Sequence, residues 1–194
     1  MKYILTIAAL AFSLNGTAQA WTKQYEHVDD FFSGLALVGK DNKHGFVDKE
    51  GKVIVPLIYE DAISYSEGFA AIKLNGKWGY LDSTGKTLVP PTYMEAMSFH
   101  QGMAVVSNGA DFGFINATGK LVIPLIYTNA SSFSEGLAAV NKNGLWGFID
   151  NKGKDIIPFQ YSYAGSFEEG TARVMKAGKF IYIDRTGKKV ADAE

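Results

Sequence analysis

Residues 134–161 read S-E-G-L-A-A-V-N-K-N-G-L-W-G-F-I-D-N-K-G-K-D-I-I-P-F-Q-Y. Two short apolar runs flank Asn143-Gly144. Both central residues of a type I′ turn need positive φ, and Asn-Gly adopts it at little cost. The spacing therefore predicts a hairpin, with a first strand over 137–142 and a second over 145–150. Asn151-Lys152-Gly153 reads as the next turn, with Gly153 in the left-handed position of a bulge. A third strand follows over 154–157 and is expected to end at Pro158. Residues 161–167 are expected to add a short fourth strand before the turn at Glu169-Gly170. The whole stretch is a β-meander.

The same pattern recurs along the chain. Gly34, Gly68, Gly102, Gly136 and Gly170 stand 34 residues apart, and so do Gly51, Gly85, Gly119, Gly153 and Gly187. Gly45, Gly79, Gly113 and Gly147 make a third column, and Gly76, Gly144 and Gly178 a fourth. Pro56, Pro90, Pro124 and Pro158 keep the period, as do Tyr25, Tyr59, Tyr93, Tyr127 and Tyr161. Most of the 21 glycines thus occupy fixed phases of one unit used five times. Helical repeats also come in 34-residue units. Here each period holds several glycines and nearly every one a proline, which leaves no room for a helix of useful length.

The columns also point to the core. Ala36, Ala70, Ala104, Ala138 and Ala172 are matched two residues on by Val38, Ile72, Val106, Val140 and Val174. Residues i and i+2 share one face of a strand, so that face is buried and cramped. In the second strand an aromatic column runs Phe46, Tyr80, Phe114, Phe148, Tyr182. Both faces are largely apolar, as expected where each unit is covered by its neighbours. The Gly45-type column is expected to admit a large ring from an adjoining strand or unit.

Composition fits this reading. The chain has 194 residues, 47% hydrophobic and 20% charged, which excludes a disordered or collagen-like protein. Nineteen Lys and Arg against 20 Asp and Glu give a formal charge of −1, so nothing suggests a nucleic-acid surface. There is no cysteine, which excludes disulfides, thiolate metal sites and a cysteine nucleophile. Residues 1–20 carry Lys2, an apolar run over 3–14 and Ala18-x-Ala20, the pattern of a cleaved signal peptide. The run is too short for a membrane span, which needs about 20 residues. The expected mature domain is 21–194, exported to the periplasm, cell surface or medium and not transmembrane after cleavage.

The motifs Lys77-Trp78-Gly79-Tyr80-Leu81-Asp82-x-x-Gly85-Lys86 and Leu145-Trp146-Gly147-Phe148-Ile149-Asp150-x-x-Gly153-Lys154, with Phe133-Ser134-Glu135-Gly136 and Pro158-x-x-Tyr161, resemble the WG-containing (KWG) repeat family of bacterial proteins. The resemblance covers essentially the whole expected mature chain. His44 and Phe112 replace the Trp, and Phe180-Ile181 replaces Trp-Gly. The resemblance implies an all-β repeat array, often exported, with binding or scaffolding roles and no catalytic residues.

Two architectures fit an all-β tandem array of about five 34-residue antiparallel meanders. The chain begins with the last part of a unit and ends with a unit lacking that part, so the two could combine to close a five-bladed, propeller-like ring. Units this small fit an open, curved stack better, because propeller blades usually take about 40 residues.

Candidate sites follow the columns. Asp48, Asp82, Asn116, Asp150 and Asp184 sit where a calcium ladder would need them, but one carboxylate per turn suits Asx turns better. Lys52, Lys86, Lys120, Lys154 and Lys188 would form a cationic line for an anionic polymer, or solvated charges that guard strand ends. Trp78 and Trp146 could stack on sugars, or simply pack. Met97-x-x-His100-x-x-Met103 combines thioether and imidazole as a copper site would, although Met103 occupies a core column. The turn acids Glu67, Glu135 and Glu169 fall in equivalent places of different units, which does not suit an acid pair.

No G-x-S-x-G, H-E-x-x-H or phosphate-binding loop is present, and no cofactor motif. The expectation is an exported, non-enzymatic binding or scaffold module for a protein or cell-envelope polymer. A lectin-like carbohydrate-binding array is the alternative, and a hydrolase hidden in the degenerate units comes last.

Overall fold

The structure is a computed structural model that describes residues 20–193. The expected signal peptide lies almost wholly outside the described residues. A 3-10 turn over Ala20–Gln24 precedes five four-stranded antiparallel sheets, one per sequence unit. The fourth sheet comprises an inner strand Asn129–Ala130, a second Ala138–Lys142, a third Leu145–Ile149 and an outer Asp155–Tyr161. The first sheet runs His27–Phe32, Leu35–Lys40, Lys43–Val47, Val53–Tyr59. The fifth runs Tyr163–Glu168, Thr171–Lys176, Lys179–Asp184, Lys189–Asp192. Asn143 and Gly144 have φ of 54° and 82°, as the type I′ hairpin requires.

The outer strand does not end at the proline. It continues through Pro158 to Tyr161. Phe148 pairs with Ile157 and Trp146 with Tyr161, so Pro158, Phe159 and Gln160 bulge opposite Gly147. Proline is tolerated because this strand is the sheet's edge and carries a bulge. The bulge also corrects the expected role of the glycine column. A β-carbon on Gly147 would meet the Ile157 carbonyl oxygen at 2.7 Å and the Phe159 nitrogen at 3.0 Å. Backbone of the unit's own outer strand, not a ring from a neighbour, excludes a side chain there. The fifth sheet shows the converse. Asp192 stands in the proline place and Ile181 in the glycine place, and the two pair directly.

Consecutive sheets pack face to face. Each sheet has a forward face toward the next unit and a back face toward the previous one. Leu137, Ala139, Phe148, Ile157 and Tyr161 of the fourth sheet meet Ala164, Phe167, Ala172, Val174 and Ile183 of the fifth. One ring pair anchors every joint: Phe46–Tyr65 at 4.8 Å, Tyr80–Phe99 at 5.2 Å, Phe114–Phe133 at 5.0 Å and Phe148–Phe167 at 4.9 Å. Such pairs add about 0.5–1.5 kcal/mol beyond their area burial.

The ends show which architecture is adopted. The fifth pair that a ring would need is Tyr182 with Phe31, yet these are 38% and 39% exposed. The N-terminal strand pairs within the first sheet, and the last sheet has an inner strand of its own. Both ends are also capped. Ala36, Val38 and Val47 on the first back face are covered by Trp21 and Tyr25. Trp21 fills the space beside Gly51, the slot that Val55, Val89, Ile123 and Ile157 fill beside Gly85, Gly119, Gly153 and Gly187. On the last forward face, Thr171 replaces Leu35, Phe69, Met103 and Leu137, and Arg173 replaces Leu37, Ala71, Val105 and Ala139. Polar outer faces are what terminal repeats need for solubility. The array is open and the closed ring is not formed.

Candidate binding surfaces

The turns that join the inner and second strands carry a ladder between units. The Glu67 carboxylate accepts the Gln101 and Gly102 N–H groups, both at 2.7 Å. Gln101 Oε1 accepts the Gly136 N–H at 2.8 Å, and the Glu135 carboxylate accepts the Gly170 N–H at 3.1 Å. Two of the turn glutamates considered as hydrolytic acids, Glu67 and Glu135, are therefore turn caps for the following unit. Sequence reasoning missed this, although Glu-Gly repeated at one phase was its signal. At the end of the ladder, Glu169 has no hydrogen-bond donor among the described residues.

The Asp column folds back into its own turns. Asp150 Oδ1 accepts the Lys152 and Lys154 N–H groups, both at 2.9 Å. Asp82 adds the Thr84 hydroxyl at 2.6 Å, and Asp184 the Thr186 hydroxyl at 2.6 Å. Asn116 makes the same bonds with an amide oxygen. The hydroxyl bond from Thr84 holds the Asp82 carboxyl below its usual range, that from Thr186 does so for Asp184, and the Lys154 N–H does so for Asp150. Among the described residues no cluster of three His, Asp or Glu side chains could hold a metal ion.

Lys52, Lys86, Lys120, Lys154 and Lys188 are all exposed. Their backbone N–H groups bond to the Asx residues, while their ammonium groups make no ion pair among the described residues. They recur at one place in every sheet, just ahead of the outer strand. Trp78 and Trp146 are half-buried and pack against the joints to the third and fifth sheets. The Lys73 ammonium lies 5.8 Å from the Trp78 ring centre. Met103 is buried in the joint to the fourth sheet while Met97 and His100 are exposed.

A cleft of about 830 Å³ opens on the forward side of the fifth sheet, lined by Gly165, Ser166, Glu168, Glu169, Thr171, Arg173 and Tyr182. Arg173 and Tyr182 are cross-strand partners, and the Arg173 guanidinium lies 3.8 Å from the Phe180 ring centre. Among the described residues no acceptor takes its N–H groups. Arg173 and Arg185 are the chain's two arginines, and both lie in the last unit.

Comparison with known proteins agrees with this geometry. Among solved structures, Hsv2 of Kluyveromyces lactis superposes with a TM-score of 0.52 at 9% identity, covering 82% of this chain and 59% of that one. A eukaryotic initiation factor gives 0.52 at 12% identity over 84% of this chain and 53% of that one. The extracellular domain of a one-component system, BT4673 of B. thetaiotaomicron, gives 0.47 at 15% over 87% and 29%. The likeness to Hsv2 and the initiation factor is one of fold, β-propeller-like, and the chain spans little more than half of each. No curated protein matches in sequence. Among the described residues no helix is long and apolar enough to cross a membrane. The WG containing repeat matches residues 22–43, 45–78, 78–110, 112–146 and 146–180, and the chain belongs to that family.

Proposed function

We propose that the protein is an exported, non-enzymatic binding module whose repeated rim engages an anionic polymer or acidic protein of the cell envelope. One observation carries this reading. Five ammonium groups recur once per sheet without an ion pair, while the nearby carboxylates are turned into their own turns. The aspartates stay ionised and offset part of the neighbouring lysine charge, whereas Lys120, beside the neutral Asn116, has no such offset. Charges on equivalent positions of stacked units act together, which suits a ligand with repeated negative charge.

The test is capture from envelope extract with the mature chain as bait. Replacing Lys86, Lys120 and Lys154 by Gln should lower capture at least tenfold and flatten its salt dependence. Unchanged capture would remove the lysine rim from the reading. The sugar-binding alternative has less support, because Trp78 and Trp146 pack against the joints.

A further inference from the structure

We infer that the forward face of the fifth sheet is a docking cleft for an extended protein segment. Within three positions ahead of an aromatic, the segment carries an acidic residue, and a glycine turn follows. This rests on the binding-module reading and names a second site and its partner.

The cleft continues an interface that the chain builds four times. On the forward faces of sheets one to four it is filled by the next unit's inner strand. The ring of that strand packs on Phe46, Tyr80, Phe114 or Phe148, and the following turn donates N–H groups to Glu67, Gln101 or Glu135. The fifth face offers the same fittings without an occupant. Tyr182 stands in the ring column at 38% exposure, and Glu169 stands in the acceptor column.

Two changes alter what the cleft accepts. Arg173 stands where Ala139 packs beside Ala164 and Phe167 in the joint before it. Its guanidinium lies over Phe180, so its planar fork is held in place before any ligand arrives. Thr171 replaces Leu137 at the cleft's edge. An apolar inner strand of the interior kind would bury that charge without a partner, whereas a strand with a carboxylate at this place would pair with it. The chain itself has one inner strand with acids next to that place, Val28-Asp29-Asp30-Phe31-Phe32-Ser33-Gly34, in which Val28 and Phe31 stand where Ala164 and Phe167 do and Asp29 and Asp30 lie between them. A second copy is nevertheless not the occupant, because Trp21 and Tyr25 already cover the back face it would have to present. The occupant is a segment of another protein with this pattern.

The probe is a labelled synthetic peptide with the sequence of residues 26–36, titrated by fluorescence anisotropy against the mature chain. We expect saturable binding. It should weaken at least tenfold when both peptide aspartates become asparagine, and equally when the protein carries Arg173→Ala. A peptide of residues 128–138, which has no acid ahead of its Phe, should bind at least tenfold more weakly. The double variant Thr171→Leu, Arg173→Ala should reverse that preference and so report the face even if overall affinity changes. Absent binding, or equal binding to wild type and Arg173→Ala, overturns the inference. So does concentration-dependent dimerisation that Arg173→Ala abolishes, since the occupant would then be a second copy. Lysine-rim variants should bind the peptide normally, so loss of capture from extract and loss of peptide binding separate the two readings.

Discussion

Gly147 sits against the carbonyl oxygen of Ile157, where a β-carbon would come within 2.7 Å. The contact ties two columns of the sequence together, since the glycine is needed only where the proline bulge crosses it. Gly147→Ala forces that bulge to move and should destabilise the fold by about 1–3 kcal/mol. Ile181→Gly in the bulge-free fifth sheet removes packing and flexible-chain restraint but meets no such contact. Urea denaturation of the two variants should show the first losing stability through strain, which a second change, Pro158→Ala, partly relieves.

The joints should differ from the ends in the same measurement. Phe133 is 4% exposed against Phe114, and Phe133→Ala should cost about 3–5 kcal/mol. Phe31→Ala, at the same phase but 39% exposed, should cost less than half as much. The ring contact of Phe31 is with Trp21 at 6.3 Å, and equal losses would mean that a further partner covers Phe31 in solution.

The turn ladder makes a paired prediction. Glu67→Ala removes the acceptor of two N–H groups in the third unit and should cost about 1 kcal/mol. Glu169→Ala has no such bond to lose and should be neutral in thermal melts of the free protein.

Acid sensitivity should map to the Asp turns. Asp82, Asp150 and Asp184 are held below the ordinary value of 3.8. Their contribution is present above that value and is lost as pH falls through the lower, folded one. Asn116 already performs the same bonding without titrating. The triple variant Asp82→Asn, Asp150→Asn, Asp184→Asn should keep neutral-pH stability and unfold at a lower pH in an acid titration followed by circular dichroism.

Removing the N-terminal cap should expose a core. Trp21→Ala empties the space beside Gly51 and uncovers Ala36, Val38 and Val47. A loss of about 3–5 kcal/mol is expected, with increased binding of a hydrophobic dye.

Much of this was legible in the residues. Period, hairpin and turn positions follow from Asn143-Gly144 and Gly153, because those conformations have few alternative occupants. The buried columns follow from alternation by two. What alternation cannot say is which apolar column faces the previous unit and which the next. Without that, Arg173 and Thr171 read as ordinary variation rather than as a changed outer face. The reason for Gly147 was hidden as well, because the clash involves backbone three-dimensionally displaced by the bulge at Pro158. The lysine line and the Asx turns beside it were both visible, but the ladder of Glu67, Gln101 and Glu135 between units was not.

The two unlike ends constrain how such a chain can change length over time. Any interior joint can be cut and rejoined one period away, and the surfaces brought together will match. Appending a unit after the fifth sheet would instead bury Arg173 beneath it, and prepending one would first have to evict Trp21. Duplication and loss of units should therefore occur inside the array and leave its two end faces unchanged.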